Sequence, residues 1–209
     1  ILIYAGDINI SSGGGSQNGV KKTDPQPGMR AGEMPPRRDF QEMPPMKEAE
    51  KTQEIQETEE TSESSDSKKG IKAVNEIRID GGTIQIDSAD DALHSENSLE
   101  INGGITNISA GDDALHSEKV LEINNGTIDI KKSYEGIESE TITINARTIH
   151  LISSDDGINA SGSSEGSATL SINGGYVVLD AAGDGLDANG SIKVTAGKVI
   201  VNGPTNNGN

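Results

Sequence analysis

The 209-residue chain carries a formal net charge of −17 at pH 7, a surface that repels nucleic acid and anionic membranes and favours cations. With no Cys it forms neither disulfides nor thiolate metal sites, and no apolar run approaches the about 20 residues that a membrane-spanning helix needs. Aromatic residues make up 2%, with no Trp and a single Phe. That is too little for the core of a compact globule, but enough for a narrow interior of stacked Ile, Val and Leu.

In chain order, Ile1 to Ile10 already reads as part of a coil, and Val199 to Asn209 stops before its coil closes, so the sequence reads as a fragment of a longer array. Residues 13–67 interrupt the pattern. They hold six of the seven prolines, all four Met and the only Phe, a composition that buries no core and predicts a disordered inserted loop. A short helix at Lys47 to Glu60 would have one apolar residue, Ile55, to hold it. After the loop, Gly70-Ile71-Lys72-Ala73 matches Ala92-Leu93-His94-Ser95, which sets Lys68 and Lys69 where later repeats carry an Asp pair. The loop is therefore expected to lie over the first acidic site, with Lys69 closing that end.

From there the chain repeats. Ile79, Ile101, Ile123, Ile144, Ile172 and Val194 are spaced by 22, 22, 21, 28 and 22 residues. A period of this size marks a solenoid, in which each turn of chain stacks on the last. Each repeat holds three short pieces. The first alternates apolar and polar, as in Leu99-Glu100-Ile101, and an Asn/Asp-Gly-Gly turn often follows. The second alternates again (Ile84/Ile86, Ile128/Ile130, Val177/Leu179), with Thr106 breaking the pattern. The third centres on Leu93, Leu115, Ile137, Ile158 and Leu186. Period-two alternation in such short runs means strands with one buried face. The predicted fold is all-β: a right-handed parallel β-helix of about 22 residues and three strands per coil, built from residues 1–12 and 68–209 as one domain.

Asp80, Asn102, Asn124, Asn145 and Asn173 share one position and predict a ladder of side chains bonded along the axis, at a site where Asn also tolerates left-handed backbone. A second insertion, Ser161 to Thr169, lengthens another turn with small polar residues.

Twelve positions after each repeat start stands an acid: Asp91, Asp113, Glu135, Asp156 and Asp184. Asp90, Asp112 and Asp155 pair with three of them. Turn aspartates commonly accept backbone N–H bonds, which accounts for one acid per turn but less well for one offset in five coils. Stacked at the ~4.8 Å of adjacent strands, carboxylates repel by roughly 1 kcal/mol per pair in water, and more when partly buried. Calcium, with six to eight hard oxygen ligands, fits this set better than octahedral magnesium. Asp90, Asp91, Asp112, Asp113, Glu135, Asp155, Asp156 and Asp184 are the expected Ca2+ ligands. His94 and His116 stack one coil apart, followed by Glu138, Asn159 and Asp187 at the same offset. They would suit a transition metal, but read more simply as an exposed polar stripe, because they alternate with the inward Leu.

The repeated Ile-Asn-Gly-Gly-Thr-Ile-x-Ile, the Ser-x-Asp-Asp-Ala/Gly-Leu/Ile-x-Ser/Ala turn, and Lys-Ser-Tyr-Glu-Gly-Ile-Glu at 132–138 resemble the bacterial calcium-containing carbohydrate-binding β-helix family, whose architecture is similar to that of polysaccharide lyases. The resemblance covers essentially the whole chain. It implies a bacterial secreted or cell-surface protein that holds calcium and binds polysaccharide.

The leading expectation is thus a calcium-binding carbohydrate-binding protein. Acidic polysaccharide would be held through bridging calcium, and a cellulose-type glucan through hydrogen bonds from flat polar faces. The scarcity of aromatics, Tyr4, Tyr134, Tyr176 and Phe40, weighs against cellulose. Tyr134, beside the acids, is the candidate platform, with His94 and His116 as further sugar contacts. One alternative is a calcium-dependent pectate-type lyase, with Lys131, Lys132, Arg147 or Arg78 as the base. Another is an adhesive solenoid stacking end to end through open edges; a monomer is the simpler expectation.

Overall fold

The computed structural model describes residues 1–19, 67–145, 147–163 and 166–205. These residues are all-β, in long parallel sheets joined by tight turns. The second pieces of the repeats form a seven-stranded parallel sheet: β2 (Asp7–Ser12), β5 (Thr83–Ser88), β8 (Ile105–Ala110), β10 (Thr127–Lys132), β12 (Thr148–Ser153), β15 (Tyr176–Ala181) and β18 (Lys198–Asn202). The first and third pieces share an eleven-stranded sheet. The first are β1 (Leu2–Ile3), β4 (Glu76–Ile79), β7 (Ser98–Ile101), β14 (Thr169–Ile172) and β17 (Ser191–Val194). The third are β3 (Ile71–Ala73), β6 (Leu93–Ser95), β13 (Ile158–Ala160) and β16 (Leu186–Ala188). In two coils the third and first pieces run on as one strand, β9 (Leu115–Ile123) and β11 (Ile137–Ile144), so three separate strands per coil is true of most coils rather than all.

Register follows the repeat. Ile79 pairs with Ile101, Ile101 with Ile123, Ile123 with Ile144, and Ile144 with Ile172. All five are fully buried, each a burial worth about 1.5–3 kcal/mol. Thr106 is aligned with Ile84 and Ile128 and is 1% exposed, whereas its neighbour Ile105 is 49% exposed. The break in the pattern is therefore chemical, not positional. Ile71, Lys72 and Ala73 pair with Leu93, His94 and Ser95, so the chain re-enters the stack after the insertion in the expected register.

The predicted amide ladder is present. Asn102 Nδ2 donates to Asp80 Oδ1 (2.9 Å), Asn124 to Asn102 (2.9 Å), Asn145 to Asn124 (3.0 Å) and Asn173 to Asn145 (3.1 Å). Its backbone is not left-handed, however; that role falls to the glycine two residues on. Gly104 has φ +87°, and a Cβ there would lie 2.6 Å from the carbonyl of Gly82, itself at φ +93° in the coil before.

Gly13 to Gly19, expected to belong to the disordered loop, are instead folded onto the sheets. Ser16–Asn18 form a short 3-10 turn, Ser16 N–H donates to Asp87 Oδ1 (2.7 Å), and Lys132 Nζ bonds the carbonyl of Ser16. The remainder of the insertion, with the helix considered at Lys47 to Glu60, lies outside the described residues. Among the described residues no helix is long and apolar enough to cross a membrane.

Candidate functional site

Backbone hydrogen bonds align the acids. The carbonyls of Asp91, Asp113, Glu135, Asp156 and Asp184 accept N–H bonds from Gly70, Ala92, Ala114, Gly136 and Gly157, each one coil earlier, at 2.8–3.1 Å. The acids therefore form one column. Beside it, Tyr134 N–H donates to the Asp112 carbonyl (2.8 Å), Asp155 N–H to that of Tyr134 (3.0 Å), and Gly183 N–H to that of Asp155 (3.0 Å). Tyr134 thus sits in the run of partner acids, half-buried, while Tyr4 and Tyr176 are the more exposed rings.

The first end of the column is neutralised from within. Lys69 Nζ lies 3.2 Å from Asp90 Oδ1 and in a short ion pair with Asp91 Oδ2, closing the column as the sequence predicts. Asp91 is 2% exposed. Its Oδ2 also meets His94 Nδ1 at 2.8 Å, and its Oδ1 accepts the Asp113 N–H at 3.2 Å. Burial pushes the Asp91 carboxyl up, but the bonds from His94 and Lys69 outweigh it and hold its pKa at about 2. Both oxygens are therefore already engaged by the protein.

Beyond Asp113, which meets His116, the acids have no such partner among the described residues. Among the described residues the Glu135 carboxylate is bonded only by the Asn159 amide (3.2 and 3.3 Å), and burial, then Glu138 and Asp113, pushes it up to about 8. Asp156 accepts the Asp184 N–H (2.7 Å); burial outweighs that bond and, with Asp155, Asp187 and Asp184, pushes it up to about 6. Among the described residues neither Glu135, Asp155 nor Asp156 has an ion-pair partner. Asp155 Oδ1 and Asp156 Oδ1 converge on Gly183: a Cβ there would stand 2.6 and 2.5 Å from them. Asp184 is exposed.

His94 and His116 are not an exposed stripe. His94 is 7% exposed, and its ring lies 4.8 Å from that of His116, centroid to centroid. His116 Nδ1 meets Asp113 Oδ2 (3.1 Å) and Glu138 Oε2 (3.2 Å). Burial favours the neutral ring, but Asp113 and Glu138 outweigh it and raise the His116 pKa to about 9, while burial pushes the Asp113 carboxyl up to about 7 against the bond from His116. Each acid stands three residues before its histidine, so the turn folds the ring back under the carboxylate.

Among the described residues three groups gather donor atoms within 4.8 Å of one another: Asp91, His94 and His116; Asp113, His116 and Glu138; and Asp90, Asp91 and Asp112. The last, all hard oxygen, suits calcium but already holds Lys69. The mixed groups have the imidazole and carboxylate donors of transition-metal sites. Sequence reasoning saw only a loop in the second insertion, yet it reaches this region: Ser161 Oγ donates to Glu138 Oε1 (2.8 Å), and Ser161 to Ser163 wall a pocket of about 380 Å³ shared with His116 and Glu138. Small polar side chains give no sequence signal for such a role.

The candidate lyase bases are placed elsewhere. Arg78 pairs with Asp80 (2.9 Å) and Glu100 (3.7 Å), and Lys132 bonds the Ser16 carbonyl. Lys131 lines a groove on the seven-stranded sheet and Arg147 is exposed. Among the described residues none of the four hydrogen-bonds or ion-pairs with an acid of the column.

Comparison with known proteins gives one finding. A family model described as "Carbohydrate-binding domain-containing protein" matches residues 1–114 and again residues 112–208. No curated protein and no solved structure matches the chain.

Proposed function

The chain belongs to the carbohydrate-binding domain-containing family, and on that premise we propose that it is a calcium-holding β-helix that binds polysaccharide. The stacked sheets are read as winding right-handed, the hand that parallel crossovers take in about 98% of cases. The observation that carries the calcium reading is the unpaired run of the column. Glu135, Asp155 and Asp156 stand in consecutive coils with no cation of the described residues beside them, and burial pushes Glu135 and Asp156 up.

The donor set fits the ion. The two carboxylate oxygens converge on Gly183 so closely that a Cβ there would collide with both. All the donors are hard oxygens, as calcium requires. Asp155 and Asp156 would hold one ion, with Asp112, Asp113, Glu135 and Asp184 as the remaining ligands; Asp90 and Asp91 are satisfied by Lys69. Bound calcium supplies positive charge for the column and a bridge to the carboxylates of an acidic polysaccharide.

We read the protein as a binding module rather than a lyase, since a lyase needs a base beside its calcium. It is taken to be monomeric and to work outside the cell or on its surface, where extracellular calcium modules operate at ~10⁻⁴–10⁻³ M. A calorimetric calcium titration, followed by a glycan panel with and without chelator, tests this. The expected result is calcium binding and calcium-dependent retention of polygalacturonate. Absence of calcium binding, or retention indifferent to chelator, would contradict the reading.

A further inference from the structure

Among the described residues six asparagines are followed by glycine: Asn18, Asn102, Asn125, Asn173, Asn189 and Asn202. An Asn-Gly step is open to attack on itself, because glycine leaves its own nitrogen uncrowded. The fold treats the six differently. Asn102 Nδ2 donates to Asp80 (2.9 Å) while its Oδ1 accepts from Asn124 (2.9 Å), and Asn173 Nδ2 donates to Asn145 (3.1 Å) while its Oδ1 accepts from Thr195 Oγ1 (2.8 Å). Asn18 Nδ2 donates to the Gly14 carbonyl (3.0 Å) and Asn202 Nδ2 to Asp180. Each of these four side chains is committed to a partner other than the residue after it.

Asn125 is the exception. It is exposed, and its Oδ1 accepts the N–H of Gly126, the next residue, at 2.9 Å. Among the described residues that is the one hydrogen bond made by the Gly126 N–H and by the Asn125 side chain. The Gly126 nitrogen thus already stands against the side-chain carbonyl that it would have to attack. The turn holds it there. Asn125 occupies the middle position of the Asn/Asp-Gly-Gly turn, where other coils place Gly81, Gly103 and Gly174. Gly126 has φ +105°, and a Cβ there would lie 3.0 Å from the Gly104 carbonyl, so the turn requires glycine at this point. Asn189 is exposed too, but among the described residues it makes no such contact with the Gly190 N–H.

We propose that Asn125 is a self-modification site, at which the Gly126 nitrogen closes on the Asn125 side chain and deamidates it. The nitrogen bonds to Asn125 Cγ and the Cγ–Nδ2 bond breaks. The backbone proton passes through water to the departing group, so ammonia leaves and a cyclic imide remains. Water then adds to one of the two imide carbonyls. The ring opens to aspartate, or to isoaspartate, in which the main chain runs through the side-chain carbon. Either product adds a negative charge to a chain already at −17. Isoaspartate also lengthens the turn by one carbon, beside Asn124, which links Asn102 to Asn145 in the ladder. The age of the molecule is thereby coupled to the strength of its ladder, whatever the chain binds.

The test is incubation of the full chain at mildly alkaline pH, followed by peptide mapping by mass spectrometry and by labelling with an isoaspartyl methyltransferase. In the folded chain Asn125 is expected to deamidate at least about tenfold faster than Asn102 or Asn173. The rate should climb with pH, because the attacking nitrogen must lose its proton. In denaturant the difference between the three sites should vanish. Asn125→Gly, which installs the residue that other coils carry there, should melt at the wild-type temperature when fresh and hold that temperature on incubation, while the wild-type chain drifts down. Deamidation of Asn102 or Asn173 as fast as that of Asn125 in the folded chain would overturn the proposal. So would an Asn125 that stays intact in the folded chain while the same step deamidates in denaturant.

Discussion

The two ends of the acidic column solve the same electrostatic problem in different ways. At Asp90 and Asp91 the protein supplies its own cation, Lys69, and seals the site with His94. From Glu135 to Asp156 the same offset in later coils has carboxyl groups and no paired cation among the described residues. One end has a carboxyl pushed down to about 2; the other has two pushed up, to about 8 and about 6. A repeat lines charges up, but what neutralises them is decided coil by coil.

The sharpest way to break the contrast is to remove the built-in cation. Lys69→Met leaves the buried Asp91 without its ammonium, and removal of one partner of a buried pair costs about 3–5 kcal/mol. Chemical denaturation should show a loss at the low end of that range, because Lys69 is partly exposed. Saturating calcium should recover part of it, since the first end then resembles the second.

The next largest effect is on pH. Glu135 and Asp156 have folded pKa values above their ordinary 4.5 and 3.8, and His116 above its 6.5. Groups raised on folding stabilise the protein below their unfolded pKa and lose that contribution as pH rises through the folded value. In chelator the melting temperature should therefore fall steadily from about pH 4 to about pH 9, and calcium should flatten the upper part of that fall. Asp91, held down instead, adds stability above pH 3.8 that disappears only toward pH 2.

A smaller effect separates charge from shape. Glu135→Gln keeps an acceptor for the Asn159 amide but removes the charge. It should raise the melting temperature in chelator and lower it in calcium. An unchanged melting temperature in both conditions would mean that the column is not under electrostatic stress. The smallest expected change is that of Asn145→Ala, about 1 kcal/mol for the ladder bonds it loses.

Much of this was legible in the sequence, and the reason is stacking. The isoleucine spacing determines register, register determines which acids share a column, and the offset of Lys69 against the Asp pairs places it at the column's end. The amide ladder was legible for the same reason. The failures are local. His94 has the parity of an outward residue, but the turn lets its ring fold back onto Asp91, and strand alternation carries no information about that. The left-handed positions fall on Gly82 and Gly104 rather than on Asp80 and Asn102, because the Gly two residues on relieves the turn. Ser161 to Ser163 and the bulge at Lys131 shape pockets without any compositional signal.

The most direct test is the calcium dependence of the melting temperature in the wild-type chain and in Asp155→Asn/Asp156→Asn. Calcium should raise the wild-type melting temperature by several degrees, and the double variant should lose most of that rise while melting no earlier than wild type in chelator. An identical melting temperature for the wild-type chain in calcium and in chelator would contradict the claim that the unpaired half of the column is completed by divalent cations.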